Sequence, residues 1–318
     1  MAVVFLYNAE IKEQYLSTRQ PDVRVRLAQI FSQVSDLIEQ PRNRDVAEMS
    51  IEELRHAFEV FEFVDVGAAR PVLYALQTYN RWAHSTSQPF AFTDALEVFD
   101  ERTDVDYTVG IRKYILPSPE ALVSAVTRLY PIDEGYEVLP ALIFAWLGVS
   151  SADCIRLKSD AVDFERRLFT LPDGTICPNE IPEAFIEPLR VYSKTRTATR
   201  FVNGEYPVFA DDLGFFLKKM LPRSSKKQGK PFTPAQISAN ITDFCYRCEE
   251  QLHIRPTFNY TTITKSGVFY RLYQYELSGA DLYAKENKDK VLSIANKKSF
   301  KDVMTVYEAY RAVFYPRS

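Results

Sequence analysis

The stretch 138–147, VLPALIFAWL, constrains this chain more than any other: it holds no charged residue and is stopped by Gly148. A helix that is apolar on every side has no face to offer water, so it must be buried among other elements. Glycine is the residue that ends such a helix most easily. Ten residues are too few to cross a bilayer, and charged residues interrupt every other apolar run. The expectation is a helical domain wrapped around residues 138–147, in a chain whose 318 residues suit two domains.

Helical signals occupy most of the remainder. Val23, Leu27, Ile30, Val34 and Leu37 recur at helical spacing. Ser50-Ile-Glu-Glu53 is a capping box, with Met49 and Leu54 placed to staple it. A third segment, 72–82, carries Leu76 and Tyr79 on one stripe. Residues 85–117 have poor periodicity and clustered acids (Asp100, Glu101, Asp104, Asp106), and read as a connector. Ser118-Pro119-Glu120 starts the next helix, and a short one follows from 151 to 157. Residues 164–171 and 175–177 flank Pro172-Asp173-Gly174 and predict a β-hairpin. The rest reads as helices over 183–193, 234–252, 263–277, 285–295 and 300–315.

The four cysteines are too few for a disulfide framework. Cys245 and Cys248 form a C-x-x-C, but Thr233-Pro234 caps a helix on which Ile237, Ile241, Phe244, Cys248 and Leu252 share a face. That pattern makes them core residues. With only His56, His84 and His253 available, no metal site and no cofactor are expected. The opening MAVVFLYNAEIKEQYL has neither a basic leader nor a small-residue cleavage site, so the expectation is a cytoplasmic protein without a membrane partner.

The net charge of −3 conceals an asymmetry. Residues 214–318 hold 18 Lys and Arg against 9 Asp and Glu, whereas residues 1–213 hold 21 against 33. The densest basic run contains Lys218, Lys219, Arg223, Lys226, Lys227 and Lys230. It reads either as a loop that contacts phosphates or as a solvated polar loop. Arg42 and Arg44 form a smaller basic turn.

In this order the sequence resembles the tyrosine recombinase (phage integrase) family. Residues 12–82 resemble its core-binding domain, including the phrases Asn43-Arg44-Asp45 and Met49-Ser-Ile-Glu-Glu-Leu54. Leu147-Gly-Val-Ser-Ser-Ala-Asp-Cys-Ile-Arg-Leu157 is similar to the family's GLRisEil.L segment, and the hairpin after it stands where the family has its β2–β3 turn. Pro231-Phe-Thr-Pro234 resembles the helix start that follows. The resemblance implies a mainly α fold with a small β-hairpin or sheet. Residues 1–84 would form a helical, SAM-like core-binding domain, 85–117 a linker, and 118–318 a recombinase catalytic-like domain. Double-stranded DNA would be the partner, with a homo-oligomer on DNA formed through the C-terminal helix.

Catalysis in that family needs two arginines that clamp the phosphate, histidine or lysine groups that move protons, and a tyrosine nucleophile. On the resemblance, the first arginine's position is Ser150, with Asp153 as the neighbouring acid and Arg156 six residues along. The hairpin offers no lysine over 175–180. The H-x-x-R positions fall on Thr262 and Lys265, and the following box on Asn296-Lys297 or Lys297-Lys298. Tyr307 stands at the nucleophile, with Tyr310 as an alternate, although Val303, Tyr307, Tyr310 and Phe314 also form one helical stripe. Lysine lacks the planar fork with which arginine grips phosphate. The expectation is therefore a DNA-binding relative without strand cleavage, acting at a mobile-element, partition or regulatory site. Two alternatives stay open: an active recombinase using Tyr307, Lys265 and Lys297, and a helical protein-interaction module that no longer binds DNA. The tail 308–315, rich in aromatic residues, should be buried, within the chain or against a second copy.

Overall fold

The computed structural model describes residues 6–128, 138–200, 206–225, 228–253 and 255–316. It is mainly helical, as expected, and carries two small antiparallel sheets, one more than the single hairpin the sequence predicts. The chain forms two compact units, one comprising residues 1–113 with 297–318, the other residues 114–296.

The first unit begins with α1 (Ala9–Ser17) and α2 (Pro21–Val34). Helix α2 runs into one π-helical turn, Ser35–Glu39, and a last short turn, α3 (Gln40–Arg42), which Asn43 ends at φ 48°. This turn alters the stripe read from the sequence. A π-turn holds more residues than an α-turn, so Ile38 rather than Leu37 faces the core, and Leu37 and Val23 are exposed. Helix α4 (Ile51–Glu59) has its capping box: Glu53 N–H donates to Ser50 Oγ at 3.2 Å, and Ser50 N–H donates to the Glu53 carboxylate at 2.8 Å. Met49 and Leu54 are both buried beside it. Helix α5 (Val66–Ser85), capped by Asp65, is longer than the stripe alone suggested.

Residues 85–113 are part of this unit rather than a free connector. They carry α6 (Ala95–Val98) and α7 (Tyr107–Tyr114), and they bury Phe99, Tyr107 and Ile111. The Phe99 ring lies 4.8 Å from that of Phe58. Gly110 lets α7 press against main chain, because a Cβ there would stand 2.3 Å from Glu62 O. The clustered acids are tied to helices: Asp104 pairs with Arg55 at 2.7 Å, and Glu101 with Arg70 at 2.7 Å.

The second unit is built around the all-apolar segment. Its helices α8 (Pro119–Thr127), α9 (Val138–Trp146) and α10 (Ser151–Cys154) come first, and every residue of α9 is buried. Strands β1 (Val162–Asp163) and β2 (Leu168–Phe169) pair antiparallel, and a bridge from Thr170 to Ile176 closes the Pro172-Asp173-Gly174 turn. The Pro172-Asp173-Gly174 turn is as the sequence predicts, but residues 164–167 are not strand: they form the turn of a separate hairpin that joins β1 to β2. After α11 (Glu183–Lys194) comes a sheet that the sequence reading had not anticipated. Its strands are β3 (Thr197–Arg200), β4 (Tyr206–Asp211) and β5 (Lys219–Leu221), in that order. The unit ends with α12 (Pro234–Leu252), α13 (Tyr260–Leu277) and α14 (Lys288–Ala295). Cys245 and Cys248 lie in its core, where burial pushes both thiols up to about 11.

The last helix, α15 (Phe300–Phe314), returns to the first unit and packs on α5. Asp302 anchors it by accepting from Arg70 at 2.9 Å and Arg102 at 2.8 Å. Residues 297–318 thus cluster with the N-terminal helices rather than with 118–296, which the sequence reading had made their domain. The buried face of α15, Val303, Met304, Val306, Tyr307 and Tyr310, packs in the first unit, and the Asp302 ion pairs add to it.

Candidate nucleic-acid interface

In the second unit, the turn after α9 and the start of α13 are joined. Tyr260 Oη donates to Val149 O at 2.9 Å, and Arg271 Nη1 donates to Trp146 O at 2.8 Å. Asn179 Nδ2 donates to Leu147 O at 2.7 Å. Arg271 and Asn179 therefore satisfy the carbonyls left free where α9 ends, a role suited to a cationic side chain. Burial lowers the Arg271 guanidinium to about 10. Its bond goes to main chain, which accounts for this arginine as a helix cap.

Ser150 is the N-cap of α10. Its hydroxyl accepts from Asp153 N–H at 3.0 Å and donates to the Asp153 carboxylate at 2.7 Å. Asp153 also receives Arg156 at 2.7 Å, and the bonds from Ser150 and Arg156 hold its carboxyl below the usual range. Thr262 is buried in the capping box of α13: Asn259 N–H donates to its hydroxyl at 2.8 Å, and its own N–H donates to Asn259 Oδ1 at 3.0 Å. Its hydroxyl also donates to Asn259 O at 3.1 Å. Lys265 lies one turn further on and is half-buried. Ser150 and Thr262 thus both stabilise helix starts.

Lys297 and Tyr307 belong to the other unit. Lys297 is exposed, just after the left-handed Asn296 that ends α14. Tyr307 is 2% exposed on α15 and stacks on Tyr310 with ring centres 6.2 Å apart. Tyr310 is wholly buried and also meets Phe314 and Tyr315 at 5.3 and 5.7 Å. Of the aromatic tail, Tyr310 is buried, while Phe314 and Tyr315 are half-buried.

The basic run is divided by the unexpected sheet. Lys218 and Lys219 are buried rather than solvent-facing, and only Lys219 lies on a strand. Lys218 Nζ donates to Ser193 O at 2.9 Å, and burial, with Arg196 nearby, depresses its ammonium pKa. Lys219 lies over the Phe232 ring at 5.5 Å. Lys219 begins β5, which pairs with β4, and Lys218 stands just before it. Arg223 is exposed and stacks on Phe209 at 4.4 Å, and Lys230 is exposed. Lys226 and Lys227 lie outside the described residues. In the first unit, Arg44 is exposed and pairs with Glu53 at 2.7 Å, and it also donates to Glu48 O. Half-buried Arg42 donates to Ile38 O at 3.3 Å.

Residues 6–85 match the family described as MrpR, N-terminal core-binding domain. That span contains α1 to α5 and the Arg42–Arg44 turn. No curated protein matches the chain at a significant level. Among solved structures, XerA recombinase is similar at 12% identity and a TM-score of 0.39, with 97% of each chain covered. A Tn1549 transposon integrase in complex with a circular intermediate DNA is similar at 13% identity and a TM-score of 0.40, over 97% of this chain and 98% of the integrase chain. The same integrase with transposon right end DNA gives 13% and 0.39, over 98% of both chains. Among the described residues, no helix is long and apolar enough to cross a membrane, and no group of acidic, histidine and cysteine side chains could hold a metal.

One polar group has no counterpart in the sequence reading: Lys12 with Glu39 and Asp45, all wholly buried in the first unit. The available signal was Lys12 itself, a lysine on the same helical face as Tyr15 and Leu16.

Proposed function

We propose that this chain binds duplex DNA, using its core-binding region and the exposed cations near residues 223–230, and that it does not cut the strands. The match of residues 6–85 to a core-binding domain is the observation that carries the DNA-binding half. The absence of cleavage follows from how the critical positions are used. Ser150 and Thr262 serve as helix caps, and Tyr307 is packed into the core of its unit. A hydroxyl buried in a core is not presented to a strand, and tyrosine is a weak nucleophile unless a neighbouring group activates it. A recombination, partition or regulatory site of a mobile element is the setting this reading fits.

Two measurements test it. Gel retardation on pooled duplexes at two salt concentrations should show binding that weakens steeply with salt, since each neutralised phosphate releases counterions. Replacing Lys226, Lys227 and Lys230 by Ala should weaken it on all sequences alike. Failure to bind any duplex at low salt would transfer the protein to the interaction-module reading, which the acidic balance of residues 1–213 favours. For cleavage, a nicked suicide duplex traps any covalent tyrosyl adduct. Neither the intact chain nor Tyr307→Phe should form one, and a band that only the intact chain gives would make it an enzyme.

A further inference from the structure

The buried charges of the first unit form one connected group. Lys12 Nζ lies 2.8 Å from both carboxylate oxygens of Glu39 and 3.3 Å from Asp45 Oδ2, and it donates to Tyr7 O at 2.9 Å. Glu39 also accepts from Ser35 Oγ at 3.0 Å and Val46 N–H at 3.2 Å. Asp45 accepts from Tyr79 Oη at 3.1 Å, Asn8 Nδ2 at 3.1 Å and Ala47 N–H at 3.1 Å. All three charged side chains are wholly buried. When both carboxylates are ionised, the group holds two negative charges against one positive, an excess that a buried site solvates poorly. One proton would remove the excess.

The same group holds a piece of surface in place. Tyr7 N–H donates to Ser35 Oγ at 2.9 Å, which fixes the segment ahead of α1. The π-turn brings Glu39 to a point where its main-chain oxygen receives Arg44 N–H at 3.2 Å while its side chain receives Val46 N–H. Glu39 thus grips both sides of Asp45, in the turn from which Arg42 and Arg44 project.

We propose that Glu39, Lys12 and Asp45 form a proton-linked latch, in which one proton taken up by Glu39 tightens the hold on residues 7–12 and on the Arg42–Arg44 turn. The groups facing Glu39 are Lys12 from α1, Tyr7 ahead of it, Asp45 beyond α3 and Tyr79 from α5, with Glu48 acting on both tyrosines. Burial raises the Glu39 carboxyl to about 7, Asp45 adds to the rise, and Lys12 and Val46 oppose it. An unfolded glutamate titrates at its ordinary value of 4.5. Between those two values the folded state holds a proton that the unfolded state has released. The stability contributed is therefore fully present below the lower value and lost as pH rises through the upper one. This is opposite in sign to ordinary acid unfolding.

The test uses the full chain and no DNA, so its outcome is separate from that of the DNA-binding reading. Glutamate labelled with ¹³C at the side-chain carboxyl should give one resonance titrating near neutrality, absent in Glu39→Gln. Amide exchange at residues 7–12 and 43–46, corrected for intrinsic rates, should slow by about tenfold from pH 8 to pH 6. It should lose that slope in Glu39→Gln. If Glu39→Gln does not fold, Asp45→Asn leaves one carboxylate facing one ammonium, and the Glu39 titration should move to lower pH. The proposal is overturned if every glutamate titrates in the ordinary range, if the slope persists in Glu39→Gln, or if Asp45→Asn leaves the midpoint unmoved.

Discussion

Gly267 sits where α13 meets the end of α9, and local propensity and packing disagree there about the effect of one methyl group. Alanine in place of glycine inside a helix stabilises by about 1 kcal/mol. A Cβ at Gly267, however, would stand 1.9 Å from Trp146 O, 2.8 Å from Trp146 C and 3.1 Å from Arg271 Nη1. The first two are main-chain atoms of a helix buried on every side, so they cannot turn away. Relieving the contact means parting α13 from α9 by roughly 1 Å, and overfilling a packed core costs about 1–3 kcal/mol. The same shift strains the Arg271 bond to Trp146 O, and a charge-assisted bond contributes about 1.5–3 kcal/mol. The net expectation for Gly267→Ala is a loss of about 2–5 kcal/mol in the second unit. Urea unfolding followed by Trp146 fluorescence, with Trp82→Phe as background, measures it. Gly67→Ala is the control, because its nearest neighbour is the movable Asp65 Oδ1 at 3.2 Å, and it should stay within about 1 kcal/mol of the parent. A Gly267→Ala chain that is as stable as the parent, or more so, would refute the close crossing.

Three further outcomes follow from the first unit. Truncation after Tyr307 removes wholly buried Tyr310 and should destabilise the unit by about 3–5 kcal/mol; an unchanged melting point would mean that the tail is not packed in cis. Asp302→Asn should cost about 1 kcal/mol at neutral pH, measured by thermal melting, because two arginines lose their shared carboxylate. Burial would raise the Asp302 carboxyl, but bonds from Arg102, Arg70 and Ser299 outweigh it and hold it below the usual range. The stability it contributes is present above the usual carboxylate range and lost as pH falls through the depressed value, so Asp302→Asn should flatten the acid limb below about pH 4. Ser50→Ala should cost about 1 kcal/mol in chemical denaturation through loss of the α4 cap, and Ser50→Asp should restore most of it.

What the sequence determined by itself was local. The capping boxes at Ser50 and Thr233, the turn at Pro172-Asp173-Gly174 and the burial of residues 138–147 depend on groups within a few residues of one another. Their hydrogen bonds and apolar periodicity are therefore written directly in the chain. The tertiary structure decided where distant segments meet. Lys218 and Lys219 read as part of an exposed basic run, but the fold buries them, Lys218 against Ser193 O and Lys219 over the Phe232 ring. The family resemblance puts Tyr307 forward as a nucleophile, but its neighbours depend on the return of α15 to α5. Lys12, Glu39 and Asp45 are unremarkable apart, and become a buried charge group only when α1 and the π-turn close on each other. The reason is one of range. Backbone hydrogen bonding and capping act over about four residues, whereas the burial of a charge depends on every segment that surrounds it.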